Sequence, residues 1–452
     1  MMSPWLGMAV VAGALAGLLG GLRLLQKYAA PHPELLRKML HVGMGLVIVS
    51  FPWLFDRSWP VLVLGALSLG VMIALRTVKA LAGFGAVVSG VHRVSLGELY
   101  FPLAVLIQWH IYLIEGGPPE VRTLLYCVPL LLLTLADAVA ALVGVNYGKW
   151  RYATADGLKS TEGSLAFILC AFLCVHVPLL LGTDTGRAET LLIAFLLAWV
   201  AMLFEAIAWG GLDNLVLPLV AHLLLKIYLG LSVTDLVTRL VVTAALMVFV
   251  LLYRRRTTLQ GGAVLGACLV GYVAWALGDW RWLVAPLVVF LGYTLLSPRT
   301  EANSKPIHNI HAVIGVSAAG LVWLFLCRLL DRPEAEAALY LFTLAFAAEL
   351  AIIAVARLSY DYPHLSGPKL LTICVLEGWG LVFVPYLAVA WSEPRCVRCT
   401  LFALTGVAVA AVGFYLTQPN VRDCATDSPR WFRQAAAGAL GSTVGLVPLY
   451  LL

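Results

Sequence analysis

Leu124 to Val145 reads LLYCVPLLLLTLADAVAALVGV, twenty-two residues that carry one charge, Asp137. An apolar run of that length crosses a hydrocarbon core of about 30 Å as a helix. It lacks the two-residue alternation of a barrel strand, and a helix satisfies its own backbone in lipid. Similar runs recur on both sides of it. Of 452 residues, 62% are hydrophobic and only 12% charged, with a mean hydropathy of +0.93. A soluble domain carries about 25% charged residues. Spans are predicted near 4–25, 39–55, 58–75, 99–114, 124–145, 164–182, 190–209, 212–230, 236–253, 259–278, 281–297, 311–329, 335–356, 369–391, 400–417 and 434–451. The expected fold is therefore all-α: a polytopic integral membrane protein with about 16 transmembrane helices.

Alternating these segments across a bilayer places basic residues on the two sides in a ratio of roughly two to one. The richer side, expected to be cytoplasmic, receives Arg37, Lys38, Lys149, Lys159 and Arg254-Arg-Arg256. Both termini are then expected to face outward. The net charge of +6 follows from this topology and implies no nucleic-acid partner. Most of the nine cysteines fall inside spans, where they act as small apolar residues. Cys396 and Cys399 are expected in a short outward loop, with no second pair nearby to close a zinc site.

Ionisable residues in or against a membrane are functional candidates, and they gather in the first half. Arg37, Lys38 and His41 stand at the entrance of the second segment. Arg37 and His41, four apart, share a helical face suited to a polyphosphate or an anionic headgroup; Arg37 and Lys38 also suit a positive anchor. Asp137 leads a helical stripe of Ala140, Ala141, Gly144 and Gly148, with Asn146 and Lys149 beside it. Such stripes let helices pack closely, but packing does not account for a carboxylate, which suits Mg²⁺. The Gly144 to Lys149 spacing is one residue short of a phosphate-binding P-loop, and Trp150 stands where Ser or Thr belongs. Replacing Asp137 by Asn is expected to remove turnover and leave stability nearly intact.

A third cluster, Asp156 to Ser164, contains Lys159, Ser160, Glu162 and Gly163 and opens the sixth segment. Ser160 can cap that helix, and its N-terminal amides together with Lys159 form a second wall for an anion. Glu205, inside an apolar run, and Asp213-Asn214, after Gly210-Gly211, make the fourth. Either carboxylate can bind metal or accept a substrate proton; the Gly-Gly-x-Asp sequence also reads as a turn with a helix cap.

Taken in order, Arg37-Lys38-x-x-His41, Gly97-Glu98-x-Tyr100, Asp137-x-x-Ala140-x-x-x-Gly144-x-x-x-Gly148-Lys149, Lys159-Ser-x-Glu162-Gly163-Ser164 and Asp213-Asn214-x-x-x-Pro218 resemble the membrane-embedded CTP-dependent lipid kinases. That family includes phytol kinase, dolichol kinase and the CTP-using diacylglycerol kinase. The match spans roughly residues 30–225. CDP-diacylglycerol synthases are similar between Asp137 and Gly163, but their Ser-Pro-Lys-Lys-Thr run is here Gly157-Leu-Lys159-Ser160-Thr161, without proline.

The resemblance implies transfer of a CTP phosphate to a membrane lipid alcohol. Asp137, Lys159, Glu162, Glu205 and Asp213 would be catalytic; Arg37, Lys38, His41, Gly144, Asn146, Gly148, Lys149, Ser160, Gly163 and Asn214 would bind nucleotide or phosphate. Mg²⁺ would sit on Asp137 and Asp213. The expected partners are membrane lipids, the alcohol and CTP. A cytidylyltransferase is the alternative, then a transporter, although a transporter should carry its ionisable residues at the midplane of both halves. Residues 1–230 are read as the catalytic bundle and 231–452 as a second bundle. The second is read as a decayed repeat or a chance likeness: His41, Gly45 and Trp53 match His311, Gly315 and Trp323 in spacing, and Glu162-Gly163 matches Glu377-Gly378.

Overall fold

The computed structural model describes residues 3–29, 31–77, 97–155, 157–253, 259, 261–296, 308–329, 335–390, 394–418 and 428–451. Asp156 and the Arg254-Arg-Arg256 run lie outside them. The chain divides into two compact units, Met1–Val241 and Val242–Leu452.

In the first unit the helices are α1 (Pro4–Ala29), α2 (Pro33–Val49), α3 (Ser58–Thr77), α4 (Gly97–Ile114), α5 (Pro119–Tyr147), α6 (Thr161–Gly182), α7 (Arg187–Ile207) and α8 (Asp213–Leu229). A single turn, Phe51–Leu54, follows α2, and α9 (Val233–Tyr253) runs into the second unit. There follow α10 (Gly261–Leu277), α11 (Val284–Leu296), α12 (Ile310–Leu329), α13 (Ala335–Asp361), α14 (Gly367–Val389), α15 (Pro394–Thr417) and α16 (Ser428–Val444). Each predicted segment overlaps a helix, although 39–55 and 434–451 are each broken in two, so the fold is all-α. Among the described residues, eight helices are long and apolar enough to cross a membrane: α1, α5, α6, α7, α12, α13, α14 and α15. The protein is an integral membrane protein.

Along α6 the apolar residues divide by face. Phe167, Ala171, Cys174 and Val175 are buried, whereas Leu165, Leu169, Leu173, Val177 and Leu181 form an exposed stripe at four-residue spacing. In water such a stripe would be costly; against acyl chains it is not.

The hub of the first unit is α5, which packs against α2, α4, α6 and α8. Midway it widens into a π-helical segment, Leu132–Ala136, directly before Asp137. Such a bulge inserts a residue and re-aims the groups beside it. Gly45 of α2 admits the bulge: a Cβ there would overlap Thr134.

One departure from all-helix lies between α5 and α6. β1 (Arg151–Thr154) and β2 (Gly157–Ser160) form an antiparallel hairpin that pairs Arg151 with Ser160 and Tyr152 with Lys159. Gly157 has φ +120° at its turn, a conformation that disfavours a side chain. Asp156-Gly157 is a known hairpin dipeptide, and it was the one local signal for this element.

The second unit is built around α13, which packs on α11, α12, α14, α15 and α16. Glu349 on α13 is fully buried and accepts a 2.8 Å hydrogen bond from Gln434 Nε2 of α16. Cys399 lies buried inside α15, not in the loop expected for it. The residues matched between the two halves occupy different settings. Glu162 stands in the first turn of α6 and Glu377 in mid-α14. Between the His and Glu helices lie α3, α4 and α5 in one half but only α13 in the other.

Candidate active site

The polar residues of the first unit converge from α2, α5, α7, α8 and the hairpin. Lys38 Nζ donates to Asp137 Oδ2 at 2.6 Å, and the lysine is almost wholly buried. His41 approaches the same oxygen at 3.6 Å, and its Nε2–H donates to the Leu133 carbonyl at 3.0 Å. That carbonyl belongs to the π segment, so the bulge supplies the acceptor that orients the imidazole. Lys38 and His41, three residues apart, form the inward face of α2. Arg37, one helical turn before His41 and acting on it electrostatically, also bonds Glu34, with Nη2–Oε1 2.5 Å and Nε–Oε2 3.0 Å.

The burial of the Lys38–Asp137 pair overturns the expectation that Asp137→Asn would spare stability. It would strand an ammonium inside the bundle, a loss of about 3–5 kcal/mol for such pairs.

Lys159 Nζ donates to Glu205 Oε1 at 2.7 Å and also to the Glu205 backbone carbonyl. Glu205 lies in the last turn of α7, where the helix dipole also favours a cation. Burial works against the Lys159 ammonium, but Glu205 and then Asp213 more than offset it, so its pKa is raised. Opposite Lys159 in the hairpin, Tyr152 donates to or accepts from Ser164 Oγ at 2.8 Å. Burial raises the Tyr152 pKa, which keeps the phenol protonated. Four-residue strands carry too little alternation to have marked this tyrosine from sequence.

Asp213 opens α8 after Gly210 and Gly211, which both take positive φ. It acts electrostatically on Arg37, Lys159 and Glu205, and Asp137 acts on Arg37 and Glu205. One charged cluster thus holds Arg37, Lys38, His41, Asp137, Lys159, Glu205 and Asp213. Neither Asp213 nor Asn214 has a side-chain hydrogen bond or ion pair among the described residues.

Gly144, Gly148 and Gly163 serve the approach of α5 to α6. A Cβ at Gly144 would lie 3.1 Å from Ser160 Oγ, and one at Gly163 would lie 2.9 Å from the Ala140 carbonyl oxygen. One at Gly148 would overlap the Gly144 carbonyl oxygen and come within 2.6 Å of Ser160 Cβ. Ser160 caps α6 by accepting from Gly163 N at 3.0 Å. Glu162 Oε1 accepts from Trp150 N at 3.3 Å, and its Oε2 is buried without a partner among the described residues. Asn146 is spent on the Leu142 carbonyl at 2.8 Å, and Lys149 is exposed; neither joins the charged cluster.

Among the described residues no three His, Cys, Asp or Glu side chains gather as a metal site. Mg²⁺ commonly takes only one or two carboxylates, with phosphates and water completing its shell. Asp137 and Asp213, the two carboxylates expected to hold the metal, both belong to the charged cluster.

Over 215 residues the chain is 27% identical to a phytol kinase from Synechocystis sp., covering 48% of this chain and 88% of that protein. That similarity bears out the family resemblance read from the ordered motifs. No family model matches the chain, and no solved structure does.

Proposed function

We propose that this protein phosphorylates a membrane lipid alcohol, such as phytol or a polyprenol, using CTP at the cytoplasmic membrane face. The observation that carries the reading is the single cluster of Arg37, Lys38, Lys159, Asp137, Glu205 and Asp213, in a chain similar to a phytol kinase. Phosphoryl transfer needs little covalent chemistry from a protein. It needs cations on the phosphates, a proton acceptor and in-line positioning, all of which side chains of a helical bundle can supply.

In this reading Arg37 and Lys159 receive the phosphates, since both side chains are partly exposed. The deeply buried Lys38 holds Asp137 in place, and His41 steadies the same carboxylate. Asp213 and Asp137 would hold Mg²⁺, which when bound would neutralise phosphate charge. The Ser160-capped start of α6 offers backbone amides beside Lys159. Residues 231–452 would contribute packing or lipid access, and both termini would face outward.

Purified protein given CTP labelled in the γ or the α phosphate, with phytol and polyprenol as acceptors, tests the reading. Label moving to lipid from the γ position is the expected result. Transfer from the α position would make the protein a cytidylyltransferase, and transfer from neither would overturn both.

A further inference from the structure

Three cation–carboxylate pairs occupy the cluster, and they differ in what an incoming anion can reach. Lys38–Asp137 is sealed, its lysine side chain only 4% exposed. Arg37–Glu34 joins residues one helical turn apart and sits at the rim. Lys159–Glu205 alone is both long-range and open to solvent, with side chains 24% and 12% exposed. Lysine has three donors, and Glu205 takes two of them, through its carboxylate and its own carbonyl. A phosphate arriving at Lys159 therefore meets a cation already neutralised, with Asp213 adding repulsion. It binds well only if Glu205 gives way.

We propose that Glu205 is a nucleotide-gated base: it holds Lys159 in the resting protein, is displaced when a nucleoside triphosphate takes the lysine, and then accepts the proton of the lipid hydroxyl. The proposal rests on the kinase reading and adds an order of events to it. In the transfer step the alcohol oxygen forms a bond to the γ-phosphorus as the bond from that phosphorus to the β–γ bridging oxygen breaks. The hydroxyl proton passes to the Glu205 carboxylate, and the nucleoside diphosphate leaves with the bridging oxygen. Before the exchange the carboxylate is engaged by Lys159. Afterwards it is a charged group in a part-buried site with no cation on it, which favours taking a proton. Water reaching the empty site thus meets no activated base.

The test is Glu205→Gln in the full-length protein in lipid nanodiscs, with CTP binding and γ-phosphate transfer measured on one preparation. Removing the competing charge should tighten CTP binding on the order of tenfold, while transfer falls by roughly 10²–10⁴-fold, the usual contribution of a general base. A residue that only supports the fold would weaken both. Binding that is unchanged or weaker overturns the gate, and retained transfer overturns the proton role. Should the glutamine variant fail to fold, Glu205→Asp decides: it keeps the acid but shortens its reach to Lys159. Tighter binding with transfer better preserved than in a Glu205→Ala control supports the proposal; unaltered binding overturns it. Wild-type protein that binds no nucleoside triphosphate would sink the kinase reading itself, a result distinct from a failed gate.

Discussion

At the scale of single residues, the buried Lys38–Asp137 pair determines what a substitution there measures. Asp137→Asn should lower the melting temperature in detergent as well as abolish turnover, because it strands Lys38. Lys38→Met with Asp137→Asn removes both charges, and double replacements of buried pairs are often well tolerated. The double variant should regain most of the lost thermal stability and none of the turnover. Recovery of activity along with stability would show that the pair only supports the fold. Lys159 gives a second residue-scale expectation. Its raised pKa means the ion pair's contribution to stability is complete below the ordinary lysine range and is lost only as pH rises through the higher folded value. Lys159→Ala should therefore cut turnover by the same factor at pH 6 and pH 8. A factor that changes between those values would mean that another group controls the lysine's charge.

At the scale of elements, the glycines at the C-terminal end of α5, Gly144 within it and Gly148 as its cap, separate by geometry. Gly148→Ala puts a methyl into the Gly144 carbonyl and Ser160, backbone and capping groups that cannot move aside. Gly144→Ala meets only Ser160 Oγ, at 3.1 Å. The first should destabilise by about 1–3 kcal/mol, as overpacked sites do, and the second by much less. Thermal denaturation of the two variants checks the order, and equal losses would mean that α5 and α6 can separate freely. The π segment is the other element with consequences. It gives up helical regularity ahead of Asp137 and places the Leu133 carbonyl against His41. No residue type in Leu132–Ala136 announces it, since Leu, Thr and Ala suit ordinary helix as well.

At the scale of the whole molecule, the charged cluster lies entirely within Met1–Val241. In the second unit Arg357 makes a forked pair with Glu377, at 2.9 and 3.1 Å. Glu377→Gln should lower thermal stability while phosphate transfer stays within about twofold, since a part-buried pair of this kind acts through the fold. Loss of all transfer in a well-folded Glu377→Gln protein would mean that both units build one site.

The apolar runs determined the helical class and the place of each helix by themselves, because lipid admits no alternative that leaves backbone groups unpaired. The ordered motifs marked which half holds the charged cluster, since intramembrane charges are too costly to be scattered at random. Partner choice was decided only by tertiary structure. Helical spacing aligned Arg37 with His41, but that Lys38 faces Asp137, ninety-nine residues away, follows from the rotation of α2 against α5, set by packing at Gly45 and the π segment. The glycine stripe was legible as a seam, but which helix it meets was not. Nor could any local pattern bring Lys159 on a four-residue strand to Glu205 at the end of α7, forty-six residues on. Such contacts are fixed by how helices of similar apolar composition stack, and that information resides in shape complementarity across the bundle, not in the order of residues along one segment.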